Sequence, residues 1–282
     1  MAYKHWTIAE LPWDQLQPKA VTPDLLQIIK AASLVEYNAQ DYGEYLCRVF
    51  HDDADFKSVV DQWVVEEVQH GEALGKWAEA IDPNWSFDRA MKAFRAGYTP
   101  EHFLNANDND SVRGSRSGEL IARCMVEVGT SSYYTAIGNG AEEPVLKVIC
   151  SKIAGDEFRH YKMFYDALNR YLEKENLGTL KRLQIALGRI AETEDDELSY
   201  AYYAANAKEG DVYDRVFWNK EYMRRAYSYY QQPQVDRAVA MVFKACGLKP
   251  QTLPHKWASS IAWWLLQQNI KKNEKAALSK AA

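Results

Sequence analysis

From Pro23 to about Phe50, apolar residues recur every three or four positions (Leu25, Ile28, Ile29, Ala32, Leu34, Leu46), the period of one face of an α-helix. Thr22-Pro23-Asp24 starts that helix with a capping hydroxyl, a proline at the first helical position and an acid in the first turn. Thr99-Pro100-Glu101 repeats the signal. The polar run His51-Asp52-Asp53-Ala54-Asp55 predicts a break, followed by a second helix from about Phe56 to Ala80 that ends at Asp82-Pro83-Asn84. A shorter helix is expected over Ser86 to Arg95, and a loop over the Asn/Asp/Ser-rich stretch Asn105 to Ser117. Two more long helices follow, from about Gly118 to Ile137 and from Pro144 to Tyr171, joined by a turn at Gly138-Asn139-Gly140. Leu180 to Ala207, Val212 to Gly247 and Pro254 to Lys275 also carry a helical period, and no segment alternates as a strand would. The expected fold is all-α: one domain over residues 1–282, with its core in 22–171 and additional helices and a tail in 172–282.

Composition narrows the classes of function. Apolar residues make up 47% and charged residues 26% of the 282, which fits a globular chain and excludes wholesale disorder. A net charge of −5 supplies no overall basic field for nucleic acid or an anionic membrane. The longest apolar run, Ile261 to Leu266, falls far short of a membrane span, and Met1 to Trp6 has no secretory apolar region. The four cysteines are scattered without a C-x-x-C pair, so a reduced, cytoplasmic protein is expected rather than a disulfide scaffold, zinc ribbon or rubredoxin-type iron site.

The informative chemistry is a repeated motif. Glu67-Val68-Gln69-His70 and Glu157-Phe158-Arg159-His160 each place Glu and His three apart, on one helix face. Upstream of each lies another helical glutamate, Glu36 and Glu127. Glu36 and Glu127 are 91 residues apart; the two motifs are separated by 90. Around the break near Asp53, Glu36 and Glu67 sit at similar heights on antiparallel helices, about 26 and 21 Å from the turn. Glu127 and Glu157 are related in the same way around Gly140. Two helices with one Glu each and two with Glu-x-x-His form the di-iron carboxylate arrangement of a four-helix bundle. The motifs lie in apolar stretches (Trp63, Val64, Val65, Val68; Ile149, Ile153, Ala154, Phe158), so the acids are not read as a solvated face. Without metal, burying six ionisable groups costs several kcal/mol apiece. Carboxylates with imidazole suit iron or manganese better than zinc.

The stretch from Thr22 to Tyr171 resembles the soluble acyl-carrier-protein desaturases of the ferritin-like di-iron superfamily. Trp63-Val64-Val65-Glu66-Glu67-Val68-Gln69-His70-Gly71 is similar to that family's W-x-x-E-E-x-x-H-G, Asp156-Glu157-Phe158-Arg159-His160 to its D-E-x-R-H, and Glu127-Val128-Gly129-Thr130 to its E-x-x-T. Val68-Gln69 and Phe158 depart from the family's polar or basic residues. The resemblance implies a ferritin-like four-helix core with Glu36, Glu67, His70, Glu127, Glu157 and His160 as ligands of two iron ions. It also implies Asp156 and Glu66 as acceptors behind His70 and His160. Thr130 would offer a hydroxyl for proton delivery, against the plainer expectation that it bonds its own helix backbone. Trp63, one turn before Glu67, is the aromatic expected beside the site.

The activity implied is O2-dependent desaturation or hydroxylation of an apolar, acyl-type substrate, with a ferredoxin and reductase as electron donor and a homodimeric assembly. An alternative is a ferritin- or rubrerythrin-like protein that oxidises iron or removes peroxide. A ribonucleotide-reductase radical subunit would place Tyr where this chain has Leu74. Small residues near the ligands (Ala32, Ser33, Ala39, Gly43, Ala73, Cys124, Thr130, Ser131) either leave a substrate channel or allow close helix packing. Arg89, Lys92, Arg95, Arg113 and Arg116 form either a docking patch for an acidic carrier or ferredoxin, or plain surface charge. Lys271, Lys272, Lys275 and Lys280 read as a frayed tail.

Overall fold

The structure, a computed structural model, describes residues 5–98, 109–192 and 196–281, and the side chains of these except 196 and 273–281. Every regular element among the described residues is helical. Three 3₁₀ turns lead into α1 (Pro23–Tyr37), α2 (Ala39–Val49), α3 (Ala54–Ile81), α4 (Phe87–Gly97), α5 (Arg116–Gly140) and α6 (Pro144–Glu175). Five helices follow: α7 (Thr179–Glu192), α8 (Asp196–Asn206), α9 (Arg215–Tyr227), α10 (Gln232–Ala245) and α11 (Leu253–Ala281). None of the described helices is long and apolar enough to cross a membrane.

Local chemistry sets the helix starts. The hydroxyl of Thr22 accepts from Leu25 N, the carboxylate of Asp53 from Phe56 N and the hydroxyl of Ser115 from Gly118 N. Each side chain satisfies a backbone donor that a first helical turn leaves unpaired. The start of α6 is bound most tightly. The buried Glu143 carboxylate accepts from Leu146 N at 2.7 Å, from Trp77 Nε1 at 2.8 Å and from Gln17 N at 3.0 Å.

Several boundaries differ from the sequence reading. The helix expected over 23–50 is interrupted at Asn38, one residue after α1 ends. Asn38 is 3% exposed and its side chain binds Glu197, so a contact made across the fold overrides the local helical period. α5 starts two residues earlier than expected, at Arg116, and runs through Gly138-Asn139-Gly140. The turn before α6 therefore falls on 141–143. Residues 212–247 divide into two helices, and within 180–207 the described helical residues lie in α7 and α8. The expected helix start at Thr99-Pro100-Glu101 lies outside the described residues, as does the part of the 105–117 loop before 109.

The α5–α6 hairpin packs against the α1–α3 pair, and α3 also touches α6. α8 covers α1, with Tyr202 Oη donating to Gln27 Oε1 at 2.6 Å. α10 covers α5. Two apolar clusters fill this core at different heights. One joins Leu25, Ile28, Trp77, Ile137, Ile149 and Ile153. The other joins Leu46, Phe56, Val60, Leu120, Phe164 and Leu168. Each fully buried Leu, Ile or Phe contributes roughly 1.5–3 kcal/mol. On α3 and α6 the glutamate and histidine positions lie in the sequence gap between these two clusters, and on α5 Glu127 precedes Val128, the last residue that helix gives to the second. Gly71 brings α1 and α3 together at that level. A Cβ there would meet Tyr37 N at 2.6 Å and Ser33 O at 2.8 Å, so no other residue permits the approach.

Candidate metal centre

Each long helix delivers its acid to the same dry layer. Glu36 sits in the last turn of α1, Glu67 and His70 on α3, Glu127 on α5, and Glu157 and His160 on α6. All six are at most 7% exposed. Their ligand atoms form two groups, Glu36–Glu67–His70–Glu157 and Glu67–Glu127–Glu157–His160, each within 4.8 Å. Glu67 and Glu157 belong to both, as carboxylates shared between two cations would.

Both imidazoles turn Nδ1 inward. His70 Nδ1 lies 3.2 Å from Glu67 Oε2, 3.2 Å from Glu157 Oε1 and 3.7 Å from Glu36 Oε2. His160 Nδ1 lies 3.0 Å from Glu67 Oε1 and 3.7 Å from Glu127 Oε2. The outward nitrogens meet acids: His70 Nε2 is 3.0 Å from Asp156 Oδ2 and His160 Nε2 is 2.8 Å from Glu66 Oε2. Such a contact fixes the ring and its tautomer, leaving Nδ1 free to act as a ligand. Arg159 ties the two outer acids together by pairing with Asp156 and, at 3.0 Å, with Glu66.

The N-terminal segment adds residues that the sequence did not reveal. Trp6 Nε1 and His5 Nε2 reach Asp156 Oδ2 at 2.6 and 2.9 Å, the same oxygen that serves His70. The Trp6 ring stacks on His70 with an interplanar angle of 5°. Gln69 holds the segment by donating to Trp6 O at 3.0 Å. On the opposite side, Tyr134 Oη donates to Glu36 Oε1 at 2.5 Å. Thr130 Oγ1 lies 2.5 Å from Glu157 Oε2 and 3.2 Å from Val126 O. Its hydroxyl thus has both the helix-backbone acceptor and a cluster carboxylate within reach. Trp63 is buried beside the site, edge-on to Phe164.

The residues fit a pair of hard cations. Both oxygens of Glu127, Oε1 of Glu157 and Nδ1 of His160 are buried with no aligned hydrogen-bond partner. Buried acceptors left in that state are costly, and all four atoms belong to residues of the groups described above. In the metal-free cluster protons take up the charge. Burial, then the charge of Glu67, pushes Glu36 well above the usual carboxylate range; burial, then Glu157, does the same to Glu127. Burial disfavours charged imidazoles, but surrounding carboxylates outweigh it. Asp156 and Glu157 raise His70, while Glu66 and Glu67 push His160 up to about 9. Burial also works against ionised Glu67 and Glu66, yet the imidazoles hold Glu67 well below its ordinary value. His160 and Gln62 bring Glu66 down to about 2.

The pH dependence of the metal-free fold follows. Groups with raised values (Glu36, Glu127, His70, His160) stabilise the fold below their ordinary values, and lose that contribution as pH rises through the raised ones. Glu66 and Glu67 contribute above about pH 4.5, and Glu66 loses its share as pH falls toward 2. The melting temperature of metal-free protein is therefore expected to fall between pH 6.5 and about 9, the ordinary and folded values of His160. A bound cation replaces these protons, so calorimetry after Fe(II) addition should show that alkaline fall removed.

A cavity of about 300 Å³ opens beside the cluster. Its wall includes Glu36, Glu67, Glu127, Glu157, Thr130 and Trp63. The small residues near the ligands divide into two sets. Ala32, Ala39 and Thr130 line the cavity, whereas Gly43 packs against Val64 and the buried Ser33, Ala73, Cys124 and Ser131 lie outside the lining. The proposed basic patch also divides. Arg113 turns into the cavity and pairs with Glu192 at 2.6 and 2.5 Å, and Arg116 pairs with Asp52 at 2.6 Å. Arg95 lies over the Tyr37 ring. No family model matches the chain and no curated protein matches it, so the functional reading rests on this geometry.

Proposed function

We propose that the chain is a di-iron oxidoreductase with a ferritin-like four-helix core, desaturase-like in its motifs, that uses O2 to desaturate or hydroxylate an apolar, acyl-type substrate. The observation that carries this reading is the cavity whose wall contains four of the six candidate ligands. A ligand in that space lies directly against the cluster. Glu36 and His70 would hold one ion, Glu127 and His160 the other, and Glu67 and Glu157 both. When bound, iron supplies one-electron redox chemistry and reactivity toward O2 that side chains lack.

The chain's own residues position, shield and handle protons. Asp156 and Glu66 fix the two imidazoles, and Tyr134 and Thr130 restrain Glu36 and Glu157 by hydrogen bonds. Trp6 and Trp63 exclude water from two sides of the cluster. Thr130 Oγ1, half-buried on the cavity wall, holds a proton that can be passed toward the chamber and replaced from solvent. In desaturation, two electrons and two protons from the substrate, with two electrons from a ferredoxin-type donor and two solvent protons, reduce O2 to two waters. In hydroxylation, one oxygen atom enters the C–H bond and the other leaves as water.

The test offers acyl substrates to the iron-loaded protein with ferredoxin, reductase and O2, and analyses products by mass spectrometry. Substrate-dependent desaturated or hydroxylated product supports the reading. Iron uptake far beyond two ions per chain, without product, supports the storage alternative. Gly129 supplies a sharper variant. It lines the cavity, and a Cβ added there meets nothing within 4 Å. Gly129→Phe is expected to leave iron content unchanged and lower product formation at least about ten-fold, the scale of a lost pocket contact.

A further inference from the structure

The cavity is graded along α5. Glu119, Arg123 and Glu127 follow one another at four-residue intervals on one face. Arg123 is thus about 6 Å along the axis from Glu127, and Tyr134 about 10 Å beyond it on the other side. Tyr133, Tyr134, Tyr222 and Tyr230 line the latter end. Arg113, Arg123 and Arg189 line the former.

Three acids accompany these arginines, and each has a partner. Glu192 forms the two-point pair with Arg113. Glu119 accepts the hydroxyls of Tyr45 and Ser111, both at 2.8 Å, and stands 3.9 Å from Arg123 Nε. Glu197 accepts from Tyr42 Oη at 2.5 Å, and burial raises its pKa toward the neutral form. Arg123 is only 6% exposed, lies over the Tyr42 ring, and its buried Nε has no hydrogen-bond partner. The buried Nε of Arg189 has none either, and burial followed by the charge of Arg123 makes that guanidinium easier to deprotonate than usual. Two neighbouring guanidinium groups with unused donors form a fork for a planar anion.

We propose that Arg123 and Arg189 form a head-group subsite, and that the substrate is a free carboxylic acid whose carboxylate they hold while its apolar remainder passes Glu127 and Glu157 toward the tyrosine-lined end. This rests on reading the cavity as the substrate chamber. A volume of about 300 Å³ suits a free acid better than the same chain with a carrier arm attached. With the head one helical turn from Glu127, the reacting C–H bond lies within a few carbons of the carboxylate.

The test titrates decanoate, decanol and decyl phosphate into the full chain, metal-free and iron-loaded, by calorimetry. Decanoate is expected to bind at least ten-fold tighter than decanol in both metal states. Arg123→Met and Arg189→Gln should each abolish that preference while leaving decanol binding as it was. Equal binding of decanoate and decanol overturns the proposal. So does a preference that survives both substitutions, which places the carboxylate on the metal or elsewhere. Tighter binding of decyl phosphate than of decanoate overturns the carboxylate assignment. If Arg123→Met does not fold, Arg189→Gln and the head-group comparison still decide. Iron content and product formation, measured on the same samples, separate the two readings: equal binding of decanoate and decanol by the unsubstituted protein, with iron and product retained, rejects the subsite alone.

Discussion

Replacing Glu157 with alanine is expected to strip iron from the protein while leaving most of its helical circular dichroism. Glu157 and Glu67 are the two acids common to both ligand groups, so either truncation damages both positions at once. Losing an outer-shell partner of a metal ligand typically weakens binding about 10–100-fold, and losing a shared ligand should exceed that range. Glu127→Ala and His160→Ala, each in a single group, are expected to lose iron as well. The helices should survive because the cluster lies between two apolar layers that pack without it. Asp156→Asn separates ligand from support: His70 keeps its place but loses a charged acceptor, and affinity should fall about 10–100-fold. Metal analysis of each purified variant beside its far-ultraviolet spectrum checks these outcomes. Full iron content in Glu157→Ala would refute the shared-ligand assignment.

The largest effect on stability is expected from Trp77→Ala. Trp77 has no exposed surface, and its indole N–H donates to the Glu143 carboxylate that caps α6. Truncation empties a site in the apolar layer next to the cluster and removes a donor from a buried acid. Truncating a buried Trp to Ala costs about 3–5 kcal/mol, a large fraction of the roughly 5–15 kcal/mol that holds a typical domain together. Trp77→Phe keeps most of the ring and loses only the donor, for an expected cost of about 1–3 kcal/mol. Urea unfolding of the three metal-free proteins orders them wild type, Phe, Ala. An alanine variant as stable as the phenylalanine variant would show that packing at Trp77 matters little.

The parts of the site readable in advance were those written at short range. Glu67 and His70 share a helix face whatever their surroundings, and so do Glu157 and His160. The matched offsets from Glu36 and Glu127 needed only the rise of a helix. The helix starts at Thr22 and Pro144 were legible for the same reason. What escaped was decided by partners far away in the chain. Asn38 breaks the first helix while bound to Glu197, 159 positions later. Trp6 reaches the site from an N-terminal segment with no helical period of its own, through an acid 150 positions away. Arg113 looked like surface charge because Glu192, which holds it at the cavity, lies 79 positions downstream. Arg123 was hidden in an apolar stretch of α5. Its spacing of four from Glu127 was the one local signal that could have marked it, and the buried unpartnered Nε became visible only in three dimensions.

The central claim is that four helices bring six side chains around a pair of transition-metal ions. The most direct test is an anomalous-scattering map at the iron edge from crystals of protein purified from iron-replete cells. The account predicts two peaks, one bounded by Glu36, His70, Glu67 and Glu157, the other by Glu127, His160, Glu67 and Glu157. A map without iron peaks, with these side chains paired only to one another, would contradict it.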